Sequence, residues 1–148
     1  MSDTIIKIIP RKIDARISQE LMNATISYLK SHMEAEKINA VSYDKITFVD
    51  SGENLESILC PSCGERISFL WWGKQMDIAY QNNFADLTVE LPCCKLESNL
   101  NELNYRFPCG FASCSIEIQN LKGTIEETEK VELEKILGEE IKLVEARY

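Results

Sequence analysis

Apolar and polar residues change period several times along the chain, and each change marks an element. Thr4 to Ile9 (TIIKII) is β-branched and closed by Pro10, so it reads as a strand. From Ser18 to Met33 the residues Leu21, Met22, Ile26, Tyr28, Leu29 and Met33 recur at threes and fours behind a capping Ser18, the pattern of an amphipathic helix. Val41 to Val49 (VSYDKITFV) alternates as a strand and ends in the turn residues Asp50-Ser51-Gly52. Phe69 to Asn82 has helical spacing at Leu70, at Met76 or Ile78, and at Tyr80, weakened by Gly73. Asp86 to Leu91 (DLTVEL) alternates and runs straight into Pro92-Cys93-Cys94, after which residues 95–110 read as irregular. Ser115 to Ile118 begins another strand in a segment stopped by Gly123. Glu126 to Leu137 forms a charged helix with Val131, Leu133, Ile136 and Leu137 on one side, ended by Gly138. Glu140 to Tyr148 alternates at Ile141 and Leu143 and reads as a strand.

With residues 51–110 set aside, the order is strand, helix, strand, then strand, helix, strand. That is the split βαβ pattern of an α+β, ferredoxin-like βαββαβ frame, whose second and third strands form a hairpin. The expected organisation is therefore a first half of the frame at 1–50, an inserted cysteine-bearing module at 51–110, and the second half at 111–148. Beyond this pseudo-symmetric order no internal repeat stands out.

The 148 residues suit one domain carrying an insertion. No apolar run reaches the roughly 20 residues of a membrane span, and MSDTIIKIIPRK lacks the apolar core and cleavage site of an export signal, so the expected location is the cytoplasm, with no membrane partner. Six cysteines in a reducing compartment are more useful to a metal than to a disulfide framework. The net charge of −8 is uneven: Lys/Arg and Asp/Glu are balanced at seven each over residues 1–50, but stand at four against eight over 51–110 and five against nine over 111–148. Nucleic-acid binding normally starts from a basic patch, and this sequence presents none, which makes nucleic acid an unlikely partner.

The strongest chemical signal is CPSCG, with Cys60 and Cys63 flanked by Pro61 and Gly64. A C-x-x-C turn can present two sulfurs to one tetrahedral zinc while its amides hydrogen-bond them, and Gly64 supplies the positive φ such a turn uses. LPCCK offers a second pair, Cys93 and Cys94, again after proline at a strand end. Neighbours in an extended chain point to opposite faces, so these two share a metal only if the chain turns there. Cys109 in FPCGF and Cys114 in ASCSI are the competing ligands, and their plainer reading is apolar packing. A redox dithiol at CPSC is the rival chemistry; it needs a lowered thiol at a helix start, and Gly64 interrupts that arrangement.

CPSCG followed by a strand ending in PCC resembles a zinc ribbon. The series FVDSGENLESILCPSCG, WW, DLTVELPCC, LNELNY and PCGFA, over roughly residues 46–112, is similar to a group of small, functionally uncharacterised bacterial zinc-ribbon proteins. The resemblance implies a structural Zn2+ at Cys60, Cys63, Cys93 and Cys94, and it implies no reaction. The doublet, where ribbons carry a second C-x-x-C, is its departure from the pattern.

Trp71 and Trp72 would point about 100° apart on a helix. One is expected to fill the core, the other to lie open as an anchor for a protein partner. Asp50, Glu53 and Asn54 read as turn residues rather than catalytic groups, and the sole histidine, His32, as solvent-facing. The chain lacks a nucleophile elbow, a phosphate loop and an H-E-x-x-H motif. The expectation is a non-catalytic adaptor or inhibitor-like module that binds another protein. A thiol oxidoreductase or zinc hydrolase, and then a nucleic-acid-binding ribbon, are the alternatives.

Overall fold

The computed structural model describes residues 3–148 as a mixed α+β chain with three helices and several antiparallel sheets. The largest sheet combines β1 (Thr4–Pro10), β2 (Lys37–Val49), β8 (Gly110–Gln119) and β9 (Ile141–Arg147) in the order β2-β8-β1-β9, with every neighbouring pair antiparallel. Helix α1 (Gln19–His32) joins β1 to β2, and α3 (Glu127–Leu137) joins β8 to β9. Ser18 caps α1 by accepting from the Leu21 amide at 3.3 Å, and Gly138, in the left-handed region, ends α3. Both helices pack on one face of the sheet, where Leu29, Ile116, Ile118, Leu133 and Ile141 are fully buried. At roughly 1.5–3 kcal/mol for each such side chain, this burial is a large favourable contribution to holding the helices on the sheet.

Between β2 and β8 lie the short strands β3 (Ser57–Leu59), β4 (Arg66–Ile67), β5 (Thr88–Glu90), β6 (Glu97–Asn99) and β7 (Asn104–Arg106), with helix α2 (Phe69–Gln81) after β4. They make a three-stranded sheet, β4-β3-β7, and a hairpin, β5-β6. The chain leaves and re-enters the large sheet at paired residues, Val49 opposite Gly110. A second buried cluster, with Ile58, Ile67, Leu91, Leu100 and Tyr105, reaches the large sheet through Phe111 of β8 and through Ile46 and Phe48 of β2. Turn residue Gly52 is dictated by space as well as by its φ of +60°: a Cβ there would sit 2.3 Å from the Arg147 carbonyl oxygen.

The strands differ from the sequence reading in several places, β3 and β4 among those it did not place. β2 begins at Lys37 rather than Val41, and it carries a bulge, since Ser42 pairs with Cys114 but Thr47 with Ala112. β8 begins at Gly110 rather than Ser115 because Gly110 to Ile116 is buried on both faces, leaving no alternation to read. Residues 95–110, expected to be irregular, hold β6 and β7, each three residues long and mostly polar. Among the described residues no helix is long and apolar enough to cross a membrane.

Candidate metal centre

Cys60 follows β3 directly and Cys63 closes the turn to β4. The Cys60 amide donates to the Glu65 carbonyl at 2.8 Å, the Gly64 amide donates back to the Cys60 carbonyl at 3.1 Å, and Gly64 sits at φ +78°. The second loop repeats these contacts. The Leu91 amide donates to the Leu96 carbonyl at 2.8 Å, the Lys95 amide to the Leu91 carbonyl at 3.0 Å, and Lys95 sits at φ +65°. The flanking pairs agree as well, Leu59 opposite Arg66 in one hairpin and Glu90 opposite Glu97 in the other. Residues 57–67 and 88–98 are thus one knuckle built twice.

The shared register sets Pro61 on Pro92, Cys63 on Cys94 and Gly64 on Lys95. It also sets Cys60 on Leu91 and Ser62 on Cys93. The doublet is therefore a C-x-x-C knuckle in which the first sulfur position holds a buried leucine and the residue before the last sulfur has become cysteine. The chain does turn at Pro92, as sharing a metal demands. This repeat went unseen because the two sulfurs are displaced; aligning the prolines, with Ile58 on Val89, would have exposed it.

The two loops bring all four sulfurs within 4.8 Å of one another. Cys63 and Cys93 Sγ lie 3.3 Å apart and Cys60 and Cys94 Sγ 3.9 Å apart. Both gaps are far beyond the roughly 2.05 Å of a disulfide and bracket the roughly 3.8 Å edge of a tetrahedron with zinc–sulfur bonds of about 2.3 Å. The donor set is all thiol, and it suits a soft or borderline divalent ion. Cys60 is buried, Cys94 half-buried, and Cys63 and Cys93 exposed.

The Cys63 amide, against the effect of burial and with help from the Ser62 amide, holds the Cys60 thiol down at about 6; both donate to Cys60 Sγ at 3.4 Å. Hydrogen bonding with Cys63, then burial, pushes Cys93 up to about 12. Cys60 thus gives up its proton readily while Cys93 is pressed to keep its own, so a cation is needed to ionise Cys93 beside it.

Cys109 and Cys114 lie away from this cluster and are buried. Cys109 Sγ is 3.2 Å from Ser51 Oγ, and burial raises its thiol, while Cys114 belongs to the helix-side core. Trp71 and Trp72 are both half-buried against the same core as Cys60. The Trp72 indole N–H donates to Tyr105 Oη at 3.1 Å, and its ring meets Phe48 edge-on at 5.7 Å. The open apolar surface of α2 is instead Phe69, Leu70, Ile78 and Tyr80, with Leu70 73% and Tyr80 68% exposed. His32 is exposed at the end of α1, its Nδ1 2.9 Å from the Tyr28 carbonyl oxygen. Asp50 accepts from the Gly52 amide at 3.0 Å, as a turn residue does, and also pairs with Lys7 at 3.3 Å.

No family model matches the chain, and neither a curated protein nor a solved structure matches it.

Proposed function

We propose that the chain is a zinc-binding, non-catalytic protein-interaction module, in which Zn2+ held by Cys60, Cys63, Cys93 and Cys94 fixes two knuckles and presents a docking face. The convergence of four sulfurs at tetrahedral spacing carries this reading. A zinc ion with four protein thiolates has no position left for an activated water, so the role is structural. We read the frame as ferredoxin-like, supported by the antiparallel order β2-β8-β1-β9 with its two crossover helices, and the insertion as a zinc ribbon, supported by the doubled knuckle. The partner is a protein with a basic surface, since the chain carries a net charge of −8 and the open apolar residues Leu70, Ile78 and Tyr80 lie on the inserted module, next to the half-buried Trp71 and Trp72.

Cobalt substitution tests the closed site. A four-thiolate spectrum unmoved by added anions supports it, whereas a spectrum that shifts with anions gives the metal an open position and favours a hydrolase. The docking face is tested by Leu70→Asp, which should abolish capture of a partner that the wild-type chain retains. Retention by the variant removes this face from the proposal. The second reading, a thiol oxidoreductase, draws on the Cys60 thiol lying near 6. It requires a chain that turns over a disulfide substrate after purification without metal.

A further inference from the structure

We propose that Cys63 and Cys93 form the reactive edge of the cluster, a modification site at which Cys93 takes hydroperoxides and then closes a disulfide with Cys63. The inference rests on the four-thiolate reading and extends it to the unequal sulfurs of the two knuckles. In the first knuckle the amides of Ser62 and Cys63 both donate to Cys60 Sγ, at 3.4 Å each, and the sulfur is buried. By the shared register the matching amides of the second knuckle, those of Cys93 and Cys94, stand over Leu91, whose side chain accepts nothing. Cys93 occupies the place of Ser62, at the exposed tip. Among the described residues no backbone amide donates to its sulfur; its contact is Cys63 Sγ at 3.3 Å.

Hydrogen bonds to a thiolate withdraw electron density, and a thiolate's intrinsic nucleophilicity falls with that withdrawal. Once a metal ionises all four sulfurs, Cys60 is both damped and shielded, Cys63 and Cys93 are both exposed and receive no amide among the described residues, and the attack is assigned to Cys93 at the tip of its knuckle. The Cys93 sulfur attacks the outer oxygen of a hydroperoxide; the S–O bond forms, the O–O bond breaks, and the alcohol, or water from hydrogen peroxide, leaves with one proton. The Cys63 thiolate then attacks Cys93 sulfur; the S–S bond forms, the S–O bond breaks, and hydroxide leaves as water with a second proton. Two thiolates lose two electrons and the peroxide gains them. The sulfurs need to close by only about 1.3 Å to reach disulfide length. The metal is left with Cys60 and Cys94, too few ligands to hold it.

The test treats zinc-loaded protein with hydrogen peroxide, follows zinc release with a chromogenic chelator, and maps the linked cysteines by mass spectrometry. A Cys63–Cys93 linkage that grows in step with zinc release is expected. The double variant Leu91→Cys with Cys93→Ser moves the fourth sulfur beneath the two free amides. It should hold zinc and release it on the order of tenfold more slowly. If that variant does not fold, the wild-type linkage map decides alone. A first disulfide that includes Cys60, or equal release rates from wild type and a zinc-loaded double variant, overturns this inference and leaves the four-thiolate reading standing. A chain that takes up no zinc overturns both.

Discussion

Two residues at equivalent points of the knuckles, Gly64 and Lys95, should respond to substitution with opposite sign. Both sit in the left-handed region, at φ +78° and +65°, where a Cβ costs roughly 1–2 kcal/mol. Nothing lies within 4 Å of a Cβ at Gly64, so Gly64→Ala should lose about 1 kcal/mol through backbone strain alone. Lys95→Gly should gain from a few tenths to about 1 kcal/mol, the relieved strain being partly offset by a freer unfolded chain. Denaturant unfolding of the metal-loaded protein measures both. A different residue-scale prediction concerns Lys7, buried with its ammonium 2.5 Å from Tyr148 Oη and 3.3 Å from Asp50 Oδ1. Burial opposes ionisation of Asp50, but Lys7 and the Tyr148 hydroxyl outweigh it and hold the carboxyl below its usual range. A lowered carboxyl contributes stability above the ordinary carboxylate range and loses it as pH falls through its folded value. Asp50→Asn should therefore cost about 1 kcal/mol or less at neutral pH, because the carboxylate is half open to solvent, and the difference should fade in acid. A difference that persists unchanged in acid far below the ordinary carboxylate range would remove the ion pair from the explanation.

At the scale of elements, α2 contains a clear weakness. Gly73 lies inside the helix with nothing within 4 Å of a Cβ, so Gly73→Ala should raise stability by about 0.5–1 kcal/mol, read as a shift in denaturation midpoint. The cap of this helix, Ser68, accepts from the amides of Leu70 and Trp71, and it was legible only as a start near Phe69. Helices α1 and α3 and the ends of the frame were readable because each buries one periodic face, whereas the spacing that marked α2, at Leu70, Ile78 and Tyr80, lies on its open side. β8 was readable only in its second half, since burial on both faces erases alternation. β6 and β7 were not readable at all: three-residue, largely polar strands are defined by their partners, Thr88 to Glu90 and Ser57 to Leu59, rather than by their own side chains. The first knuckle was plain in CPSCG. The second was recognisable as a ligand pair but not as a copy, because Leu91 occupies the place where a sulfur would have announced it. The tryptophans read as a buried and an exposed member, whereas both are half-buried against the cluster that contains Ile58, Leu91 and Tyr105.

Across the whole molecule, two buried clusters divide the labour. The helix-side core of the large sheet contains none of the four clustered thiols, while the second cluster is built from short strands whose connections converge on them. Chelation of zinc should therefore raise hydrogen exchange across Ser57 to Arg106 while amides of β1, β8 and β9 stay protected. Uniform loss of protection would make the metal a support for the entire chain instead of for the insertion. The central claim is the coordination of zinc by four protein sulfurs, and zinc-edge X-ray absorption of the purified protein tests it most directly. Four sulfurs at about 2.3 Å, with no oxygen or nitrogen in the shell, is the result expected. A shell with three sulfurs and a light atom, or folded protein that binds no zinc, would contradict it.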